Sequence, residues 1–496
     1  MGKHKKAHRT YPDSGKKHEK NRPQATPRQA IRTNQPDGMN QPDGMNQPDR
    51  MKEEHSRLSA DMLSQMTALP SEKAAEQHKM TAEQVNTKRL VTAESVRAGH
   101  PDKLCDQIAD VILDAYLQED ENARVAVEVM ATQGRIIVAG EITSTAQVNV
   151  RRLVCNQLAA IGCGYEYLNG SLDAPLEIDI RIHEQSPDIG NAVSRNPVYD
   201  VDGEISLADT LGAGDQGVMV GYATNETDEM MPLPCVLAHR ICRLLDEAME
   251  QEPWLCSDGK AQVSVLYHGD VPVAVTDVVV SVQHLPGKDS WQIEDFITDI
   301  LTKAIPARYW TAKTQVHVNP SGRFVRGGPA ADTGLTGRKL AVDAYGTSAH
   351  IGGGAMSGKD PTKVDRTGAY AARWVAKNIV AAGLADRCEV QIAYGIGMSE
   401  PVSVLVETFG TGKVPAEVLD KAVRSVFDLR PGALIERLHL RETRYAPLAA
   451  YGHFGRSDGL YAWEAADRAA ELLNAVRGDD TRMYRPKRRR RVNRLA

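Results

Sequence analysis

The stretch from Gly352 to Arg366 carries residue types that suit a polyphosphate ligand. Four glycines within seven residues let the backbone approach a ligand closely and adopt positive φ angles. Lys359 and Lys363 follow as cations, and Asp365 follows as a carboxylate. Backbone amides and two cations fit phosphate oxygens, and a carboxylate fits a divalent metal that bridges those oxygens. The stretch predicts a phosphate-binding loop, with a glycine-rich surface turn and solvated lysines as the alternative.

The spacing in this loop nearly matches the phosphate loop of nucleoside triphosphatases. Gly353 is followed, after four residues, by Gly358 and Lys359. The next position of that pattern requires Ser or Thr to bind magnesium, and Asp360 occupies it here. The pattern therefore indicates a polyphosphate loop of another kind.

A second candidate lies at the start of an amphipathic run. Pro101 fits the first position of a helix, which places His100 near the cap and Asp102 in the first turn. The positive end of such a helix attracts phosphate, and His100 and Lys103 would face it. Asp102 then suits the accompanying metal. The alternative is a capped helix in which Asp102 only complements the helix dipole.

Further charged residues accompany the glycine-rich motifs. Many residues of both signs in such positions suit a nucleoside triphosphate bound with more than one metal. The sequence shows neither a Ser-His-Asp signature nor an activated cysteine, so a covalent nucleophile is not indicated. The cations are His100, Lys103, Lys260, Arg338, Lys339, Lys359 and Lys363, and the anions are Glu94, Asp102, Glu128, Asp215, Asp258, Asp332 and Asp365.

Hydrophobic periodicity predicts the elements that hold these residues, in an order that recurs in three units. We expect an α+β fold of three similar two-layer domains, each a mixed sheet with helices on one face, related by pseudo-threefold repetition. Predicted helices span residues 101–117, 148–161, 234–249, 293–304, 367–382 and 416–426. A hairpin is predicted at 123–142, and further strands at 178–182, 218–223, 262–266, 274–283, 316–318, 340–343, 389–394 and 403–408.

Composition divides the chain into six segments. Residues 1–88 are rich in Lys, His, Gln, Pro and Asn and predict a disordered extension. Residues 190–211 show little periodicity beside motif sequence, which predicts a mobile active-site loop. The three domains are predicted at residues 89–189, 212–325 and 326–473, and a basic tail at residues 474–496.

Composition also restricts the class of protein. The 496 residues are 42% hydrophobic with a net charge of -5, and no stretch approaches the roughly 18 apolar residues of a membrane span. The basic N-terminus lacks the apolar core of a secretory signal. Seven scattered cysteines favour free thiols in a reducing compartment, so we expect a cytoplasmic protein without a membrane partner. The run Lys487–Arg491 suits nucleic acid, but a solvated tail is the preferred interpretation, and a nucleic-acid partner is not expected.

Two glycine-rich stretches, Gly212–Tyr222 and Gly352–Asp360, resemble the two signature motifs of the S-adenosylmethionine synthetase (methionine adenosyltransferase) family. The resemblance covers about residues 90 to 464 and places further motifs in family order. These motifs are His100–Lys103, Gln185–Asp188, Tyr222–Thr227, Thr336–Lys339 and Ala449–Arg456.

This resemblance implies a reaction, its cofactors and an assembly. ATP, L-methionine and water would give S-adenosylmethionine, diphosphate and phosphate. The methionine sulfur would attack ribose C5′, and the triphosphate would leave whole and then be hydrolysed. The resemblance also implies two Mg²⁺ per site, one K⁺ per subunit, and active sites between two subunits of a homodimer or homotetramer.

The resemblance further implies roles for individual residues. His100 would lie near the breaking bond to O5′, and the phosphates would be bound by Lys260, Arg338, Lys339, Lys359 and Lys363. Further ATP contacts would come from Asp258, Arg323, Phe324, Asp332 and Ala355, and methionine contacts from Glu141, Gln185, Asp332 and Lys363. Asp102 and Asp365 would be Mg²⁺ ligands, Glu128 a K⁺ ligand, and the active-site loop would include Gln185, Ser186, Pro187, Asp188 and Asp215.

Three positions depart from the family pattern. Met356 replaces a usual Phe, Ala331 replaces a usual Gly, and His350-Ile351 precedes the glycines where a His commonly adjoins them. We expect a packing change at Met356, and an effect at Ala331 if that position needs positive φ. The alternatives are a catalytically silent paralogue, a nucleic-acid-binding protein that uses its basic ends, and a general triphosphatase or kinase.

Overall fold

The computed structural model describes residues 87–162, 176–186, 207–457 and 459–478. The predicted extension up to residue 86, the predicted loop at 190–206 and the tail from residue 479 lie outside the described residues. Within the described part, three sheets are packed against helices, as the predicted α+β fold requires. The proposed domain bounds stay a prediction.

The first unit follows the predicted order of strand, helix, hairpin, helix and strand. Pro101 opens its first helix, and His100 is the N-cap, as predicted from the position of the proline. The elements are β1 Lys88–Val96, α1 Pro101–Glu119, β2 Arg124–Thr132, β3 Arg135–Thr143, α2 Val150–Ala160 and β4 Glu177–His183.

The second unit has the same order, with a longer hairpin than the periodicity predicted. Its two long strands pair antiparallel and contain three register irregularities, which interrupt the alternation of apolar residues. The elements are α3 Leu207–Thr210, β5 Gly217–Thr224, α4 Leu233–Ala248, β6 Leu255–His268, β7 Val271–His284, α5 Ser290–Ala304 and β8 Gln315–Val318.

The third unit carries the glycine-rich loop between a short helix and a long one. Gly383, with a φ of 70°, follows the end of the long helix, as expected for a C-terminal glycine. The elements are β9 Gly334–Leu335, α6 Leu340–Asp343, α7 Val364–Ala381, β10 Arg387–Tyr394, β11 Ser403–Glu407, α8 Ala416–Val426, α9 Pro431–Arg437 and α10 Ala469–Arg477.

The predicted strand at 340–343 is wrong, because Leu340–Asp343 is a short helix. The amide of Asp343 donates to Lys339 O at 2.9 Å, and that of Ala344 donates to Leu340 O at 3.1 Å. A short apolar run fits a helix turn or a strand equally well by periodicity. The buried position of the Asp343 side chain, which binds Lys103, decides between them.

The opening strand of each unit joins the sheet of another unit. Strand β1 pairs with β6, β5 pairs with β10, and β9 pairs with β2. The sheets have the orders β4-β3-β2-β9, β1-β6-β7-β8 and β11-β10-β5. The β3/β4 and β7/β8 pairs are parallel, and all other ladders are antiparallel. This cyclic exchange brings β9, and the residues that follow it, against the first unit.

Two hydrophobic clusters fill the interior. One joins the first and third units, with side chains from α1, β2, β3, α7 and β10. The other fills the second unit between α4, α5 and the β6/β7 hairpin. The first cluster therefore sets the position of the glycine-rich loop relative to α1. Within the described ranges, no helix has the length and apolar content to span a membrane.

Replacing Glu226 by Gln is expected to make the stability of the fold less sensitive to a rise in pH from about 5 to 8. Glu226 Oε1 accepts bonds from Leu233 N and the Tyr267 hydroxyl, and the amide oxygen of Gln can keep both. Burial raises the pKa of Glu226 to about 7. The hydrogen bonds from Leu233 and Tyr267, followed by the charges of Arg89 and Arg387, offset only part of this effect.

A raised carboxyl pKa means that the folded chain binds this proton more tightly than the unfolded chain. Stability should therefore fall as the pH rises from about 4.5 through 7. Relative to the Gln variant, the natural chain should lose about 2 kcal/mol between pH 5 and pH 8. Melting temperatures of both chains across this range test the prediction, and a constant difference between them would contradict it.

Candidate active site

Helix α1 carries four buried aspartates on one face. The spacing of four residues places them on one side of a helix, one turn apart. Each carboxylate accepts a backbone N–H from a different part of the chain, at 2.8 to 3.0 Å. The pairs are Asp102 with Leu335, Asp106 with Gly337, Asp110 with Gly358, and Asp114 with Tyr445.

Of these four aspartates, only Asp102 was predicted from the sequence to be a site residue. This acidic face anchors the turn before Arg338 and Lys339 and the turn before Lys359 on one helix. The available signal was an aspartate at every fourth position of an amphipathic helix. Charged side chains are rarely buried unless paired, so such a pattern indicates partners from elsewhere in the chain.

His100 lies buried at the N-terminal end of α1. Its Nδ1 accepts a hydrogen bond from the Asp102 amide at 3.2 Å, which leaves the proton on Nε2. Burial, reinforced by the positive charges of Lys339 and Lys260, lowers the pKa of His100 to about 3. His100 is therefore a neutral hydrogen-bond donor at physiological pH.

Asp102 links the helix end to two cations from the third unit. Its carboxylate accepts from Lys339 Nζ and lies 3.6 Å from Arg338 Nε. Hydrogen bonds from Lys339 and Leu335 outweigh the effect of burial and lower the pKa of Asp102. The structure thus brings together four of the predicted residues, His100, Asp102, Arg338 and Lys339, in a group that we call the helix-end cluster.

Lys103 does not belong to this cluster, contrary to the expectation that it would face a phosphate. Its side chain is fully buried, and Nζ binds the carboxylates of Asp106 and Asp343. Burial alone would lower the pKa of Lys103, but the two carboxylates raise it above its usual value. Lys103 therefore holds α6 to α1. Glu94, another of the charged residues noted beside the glycine-rich motifs, is exposed on β1.

The glycine-rich loop holds a second group, Lys359, Lys363 and Asp365, which we call the loop cluster. Lys359 Nζ lies 2.6 Å from Asp365 Oδ2, in the first turn of α7. Lys363 is the N-cap residue of the same helix, and its Nζ binds Asp360. Cations and a carboxylate therefore meet at a helix N-terminus, where the helix dipole also favours an anion.

Asp360, the residue that breaks the triphosphatase pattern, has a structural role. It is fully buried, and its Oδ2 accepts the Val125 amide at 2.7 Å. Its Oδ1 accepts the Thr362 amide at 2.9 Å. Asp360 therefore ties the loop to β2 while Lys363 pairs with it from outside.

The Asp110 carboxylate and Arg366 clamp the loop from below. Both side chains are fully buried, and the guanidinium binds Asp110 Oδ1 at 2.5 Å. The guanidinium also donates to Met356 O at 2.7 Å, and Asp110 accepts from Gly358 N at 2.8 Å. Two backbone groups directly before Lys359 are thus fixed by one buried ion pair.

The glycines of the loop differ in what surrounds them. A Cβ on Gly354 would lie 2.1 Å from Asp365 Cγ, and a Cβ on Gly358 would lie 2.1 Å from Val127 O. Gly358 also has a φ of 79°. A Cβ on Gly353 would meet no atom within 4 Å. A side chain would therefore clash at Gly354 and Gly358 but not at Gly353, and of these three glycines only Gly358 needs a positive φ.

Replacing Gly354 by Ala is expected to lower kcat by about 100-fold, because the added methyl group must displace the Asp365 carboxylate by an ångström or more. Gly353→Ala is the matched control in the same loop, with kcat expected within about threefold of the natural value. Steady-state rates and melting temperatures of both variants test the prediction. Equal rates in the two variants would contradict it.

The β6 residues lie beside the helix-end cluster. Asp258 is buried, and its Oδ2 accepts from Gly328 N at 2.8 Å. Burial raises the pKa of this carboxyl. Lys260 is exposed on the same strand, opposite Val96. The structure therefore places both residues near the N-terminus of α1.

The other predicted ATP contacts lie in the segment from 323 to 355. Arg323 and Asp332 are exposed, and Phe324 is half-buried. The Phe324 carbonyl accepts from His284 N at 2.9 Å, and the Phe324 amide donates to His284 Nε2 at 3.3 Å. Ala355 contacts Gly337, because a Cβ on that glycine would lie 2.5 Å from Ala355 Cβ. This contact joins the turn of the helix-end cluster to the loop cluster.

The first sheet places Glu141 in one row with Lys359. Lys359 forms an isolated β-bridge with Ala126 of β2. Ala126 is paired with Glu141 of β3, and Glu141 is paired in turn with His183 of β4. Adjacent strands are about 4.8 Å apart, so Glu141 lies roughly 10 Å from Lys359 in this row. Glu128 is exposed on β2, two residues beyond Ala126.

Residues of the predicted active-site loop are described only in part. Gln185 is half-buried, and its amide donates to Thr143 Oγ1 at 3.1 Å, while Ser186 is exposed. Asp215 is exposed just before β5. Pro187 and Asp188 lie outside the described residues.

The carboxylates of the two clusters fit Mg²⁺ ions that are bound in part by the phosphates of a substrate. Among the described residues, no group of three or more His, Cys, Asp or Glu side chains could hold a metal. Mg²⁺ is usually bound by one or two carboxylates together with waters and substrate phosphates. Asp102 and Asp365, each a single carboxylate beside lysines, match that arrangement.

Three models of known domains match the chain in sequence order. They are the N-terminal domain of S-adenosylmethionine synthetase at residues 88–187, the central domain at 210–324 and the C-terminal domain at 326–465. Proteins named S-adenosylmethionine synthase are similar over most of their length. The protein of Clostridium tetani is 47% identical over 393 residues, 78% of this chain and 100% of the relative. Those of Roseiflexus castenholzii and Thermus thermophilus are 50% and 51% identical, over 78% and 77% of this chain and 96% and 98% of the relatives.

The chain belongs to the S-adenosylmethionine synthetase family. The resemblance stated from the motifs is therefore confirmed.

The structure shows the contacts or the backbone conformation at each of the three positions that depart from the family pattern. Met356 is buried and contributes its carbonyl to the Arg366 clamp, which does not depend on its side chain. Ala331 has a φ of −107°, so this position does not need glycine. His350 donates its amide to Glu389 at 3.0 Å, and its Nδ1 lies 2.9 Å from the same carboxylate. None of the three displaces a charged residue of the two clusters.

Proposed function

We propose that this chain synthesises S-adenosylmethionine from ATP and L-methionine and releases diphosphate and phosphate. The observation that supports this most directly is the convergence of two cationic groups on one helix. The helix-end cluster and the loop cluster are both anchored to the acidic face of α1. Family membership supplies the reaction class, a methionine adenosyltransferase.

The proposed chemistry places charge stabilisation above proton transfer. A thioether sulfur is a neutral nucleophile and needs no general base to attack ribose C5′. The barrier then depends on alignment of the sulfur and on stabilisation of the departing triphosphate. The phosphates would be bound by Lys260, Arg338, Lys339, Lys359 and Lys363. A neutral His100 would offer its Nε2–H to the O5′ that separates from carbon.

The cofactors form part of the same proposal. Asp102 and Asp365 would hold two Mg²⁺ ions, which supply further positive charge to the leaving triphosphate. Glu128 is exposed on β2, and its carboxylate would hold one K⁺ per subunit. The general need of the family for a divalent metal and K⁺ supports this assignment.

Substrate contacts follow the placement of the other residues. Glu141 and Gln185, with Asp332 and Lys363, would bind methionine at the end of the row that starts from Lys359. Adenosine would lie near Asp258, Arg323, Phe324, Asp332 and Ala355. The segment Gln185–Asp188 and Asp215 would belong to the active-site loop.

The assembly proposed is a homodimer, or a tetramer of two dimers, with active sites between subunits. Each of the three sheets exposes large apolar side chains. Soluble monomers rarely expose large apolar patches to solvent. These are Met130 and Leu335 in the first sheet, Leu90 and Val316 in the second, and Val218 and Leu405 in the third. Light scattering on the purified chain tests the assembly. We place this assembly in the cytoplasm.

The proposed reaction is tested with purified chain, ATP, methionine, Mg²⁺ and K⁺, with S-adenosylmethionine measured by mass spectrometry. We expect product that requires methionine and all other components. Phosphate release without a sulfonium product would favour a triphosphatase. ATP binding without any turnover would favour a catalytically silent paralogue.

A further inference from the structure

A cavity of about 290 Å³ lies between helix α4 and the segment 451–457. The family motif Ala449–Arg456, which the proposed reaction leaves without a role, supplies part of its wall. None of the lining residues has been assigned to ATP, methionine or a metal. The polar residues of the wall are Glu229, His239, Arg240, Arg243, Tyr451, Arg456 and Ser457.

The wall of this cavity carries excess positive charge. Arg240 is neutralised in part by Glu229, whose carboxylate lies 3.3 Å from the guanidinium. Arg243 and Arg456 add two further positive charges to the same wall. A concave site lined by cations concentrates anions from solution.

Both of these arginines are held in place before any ligand arrives. Arg456 donates from Nε to Gly452 O at 3.0 Å and from a terminal nitrogen to Ala450 O. The Arg243 guanidinium lies 5.4 Å from the ring centroid of Tyr451. Side chains that are ordered in advance lose less entropy when they bind.

His239 adds a buried donor to the same wall. It is 8% exposed, and its Nδ1 lies 2.8 Å from Ser95 Oγ. Within the described part of the chain, Nε2 has no hydrogen-bond partner. Burial, followed by the charges of Arg456 and Arg243, lowers the pKa of His239 to about 3. With the Ser95 hydroxyl donating to Nδ1, the proton of the neutral ring lies on Nε2, on the side of Gly452 in the segment 451–457.

We propose that this cavity binds a phosphate-class oxyanion, either free phosphate or the end of a linear polyphosphate. The Arg243 guanidinium can match two oxygens of phosphate, and a neutral imidazole N–H adds a further donor. Arg456 contributes positive charge, because its Nε and one terminal nitrogen are bonded to backbone carbonyls. The site is separate from the proposed catalytic clusters and goes beyond the proposed reaction. It requires only this chain and the anion.

The test is titration calorimetry on the full chain without ATP, methionine or magnesium. Inorganic phosphate and diphosphate are injected separately at constant ionic strength set with chloride. The variant Arg243→Gln removes one charge of the cavity. Its control is Arg308→Gln, which also removes an exposed arginine stacked on a tyrosine, at 4.8 Å from the Tyr309 ring centroid.

We expect at least two classes of sites, because the proposed catalytic clusters also carry phosphate-binding cations. The Kd of the class that belongs to the cavity should rise by about tenfold in Arg243→Gln and stay unchanged in Arg308→Gln. Tighter binding of diphosphate than of phosphate at the class of sites that Arg243→Gln weakens would identify the polyphosphate end as the ligand. Isotherms that are the same for the natural chain and Arg243→Gln would overturn the proposal, because all binding would then occur elsewhere. Selenate soaked into crystals gives a second test, and anomalous density confined to other sites would also overturn it.

Discussion

Replacing Lys359 by Met is expected to lower kcat by about 1,000-fold and to change the melting temperature by only about 2 °C. In the natural chain, Lys359 Nζ lies 2.6 Å from Asp365 Oδ2 at the N-terminus of α7. The proposed reaction leaves a highly charged triphosphate at this point, so loss of one preorganised cation should raise the barrier steeply. Removal of one charge from phosphoryl sites changes kcat by a similar factor.

The fold should tolerate this change because both side chains of the pair are partly exposed, at 20% and 15%. Ion pairs of this kind contribute little to stability. The matched control is Lys413→Met, which breaks the exposed pair with Asp386 at 3.0 Å. It should leave kcat unchanged. Product formation at saturating ATP and methionine measures the effect. A kcat within threefold of the natural value in Lys359→Met would remove Lys359 from the proposed site.

Replacing Asp102 by Asn is the second change with a large expected effect. We expect kcat to fall by 100- to 1,000-fold and the Mg²⁺ concentration for half-maximal rate to rise. The Asn side chain keeps the shape and can still accept the Leu335 amide that Asp102 Oδ1 accepts at 3.0 Å. It lacks the negative charge that a metal requires and that Lys339 pairs with.

The same variant separates the metal role from the alternative of a simple helix cap. If Asp102 only complements the dipole of α1, Asn should reduce stability by about 0.5–1 kcal/mol and leave kcat unchanged. The control is Asp114→Asn, a buried aspartate three turns further along the same helix that binds Tyr445 N at 2.8 Å. That variant should melt at a lower temperature with kcat within threefold of the natural value. Rates are compared over a series of Mg²⁺ concentrations.

Local chemistry was enough to predict most elements of this chain. Pro101 and Gly383 mark the start of α1 and the end of α7, because ring geometry and positive φ act within one or two residues. Apolar periodicity placed the hairpins and the long helices for the same reason. The motifs were enough to identify the family, and the roles of the site residues stay predictions.

The predictions that failed depended on partners distant in the sequence. Leu340–Asp343 is helical, and Lys103 is buried, because these two segments meet through the Lys103–Asp343 pair across 240 positions. No pattern within either segment carries information about the other. The exchange of β1, β5 and β9 between units has the same origin, since strand pairing is chosen by tertiary packing rather than by local preference.

The acidic face of α1 separates most clearly what the sequence determines from what the tertiary structure determines. The sequence by itself determined that aspartates recur one helical turn apart, and burial of that face required them to find partners. Only the tertiary structure decided which partners they have. The amides of Leu335, Gly337 and Gly358 reach the helix because β9 pairs with β2 and the Asp110–Arg366 pair holds the glycine-rich loop. The positions of both proposed phosphate-binding clusters follow from those long-range contacts.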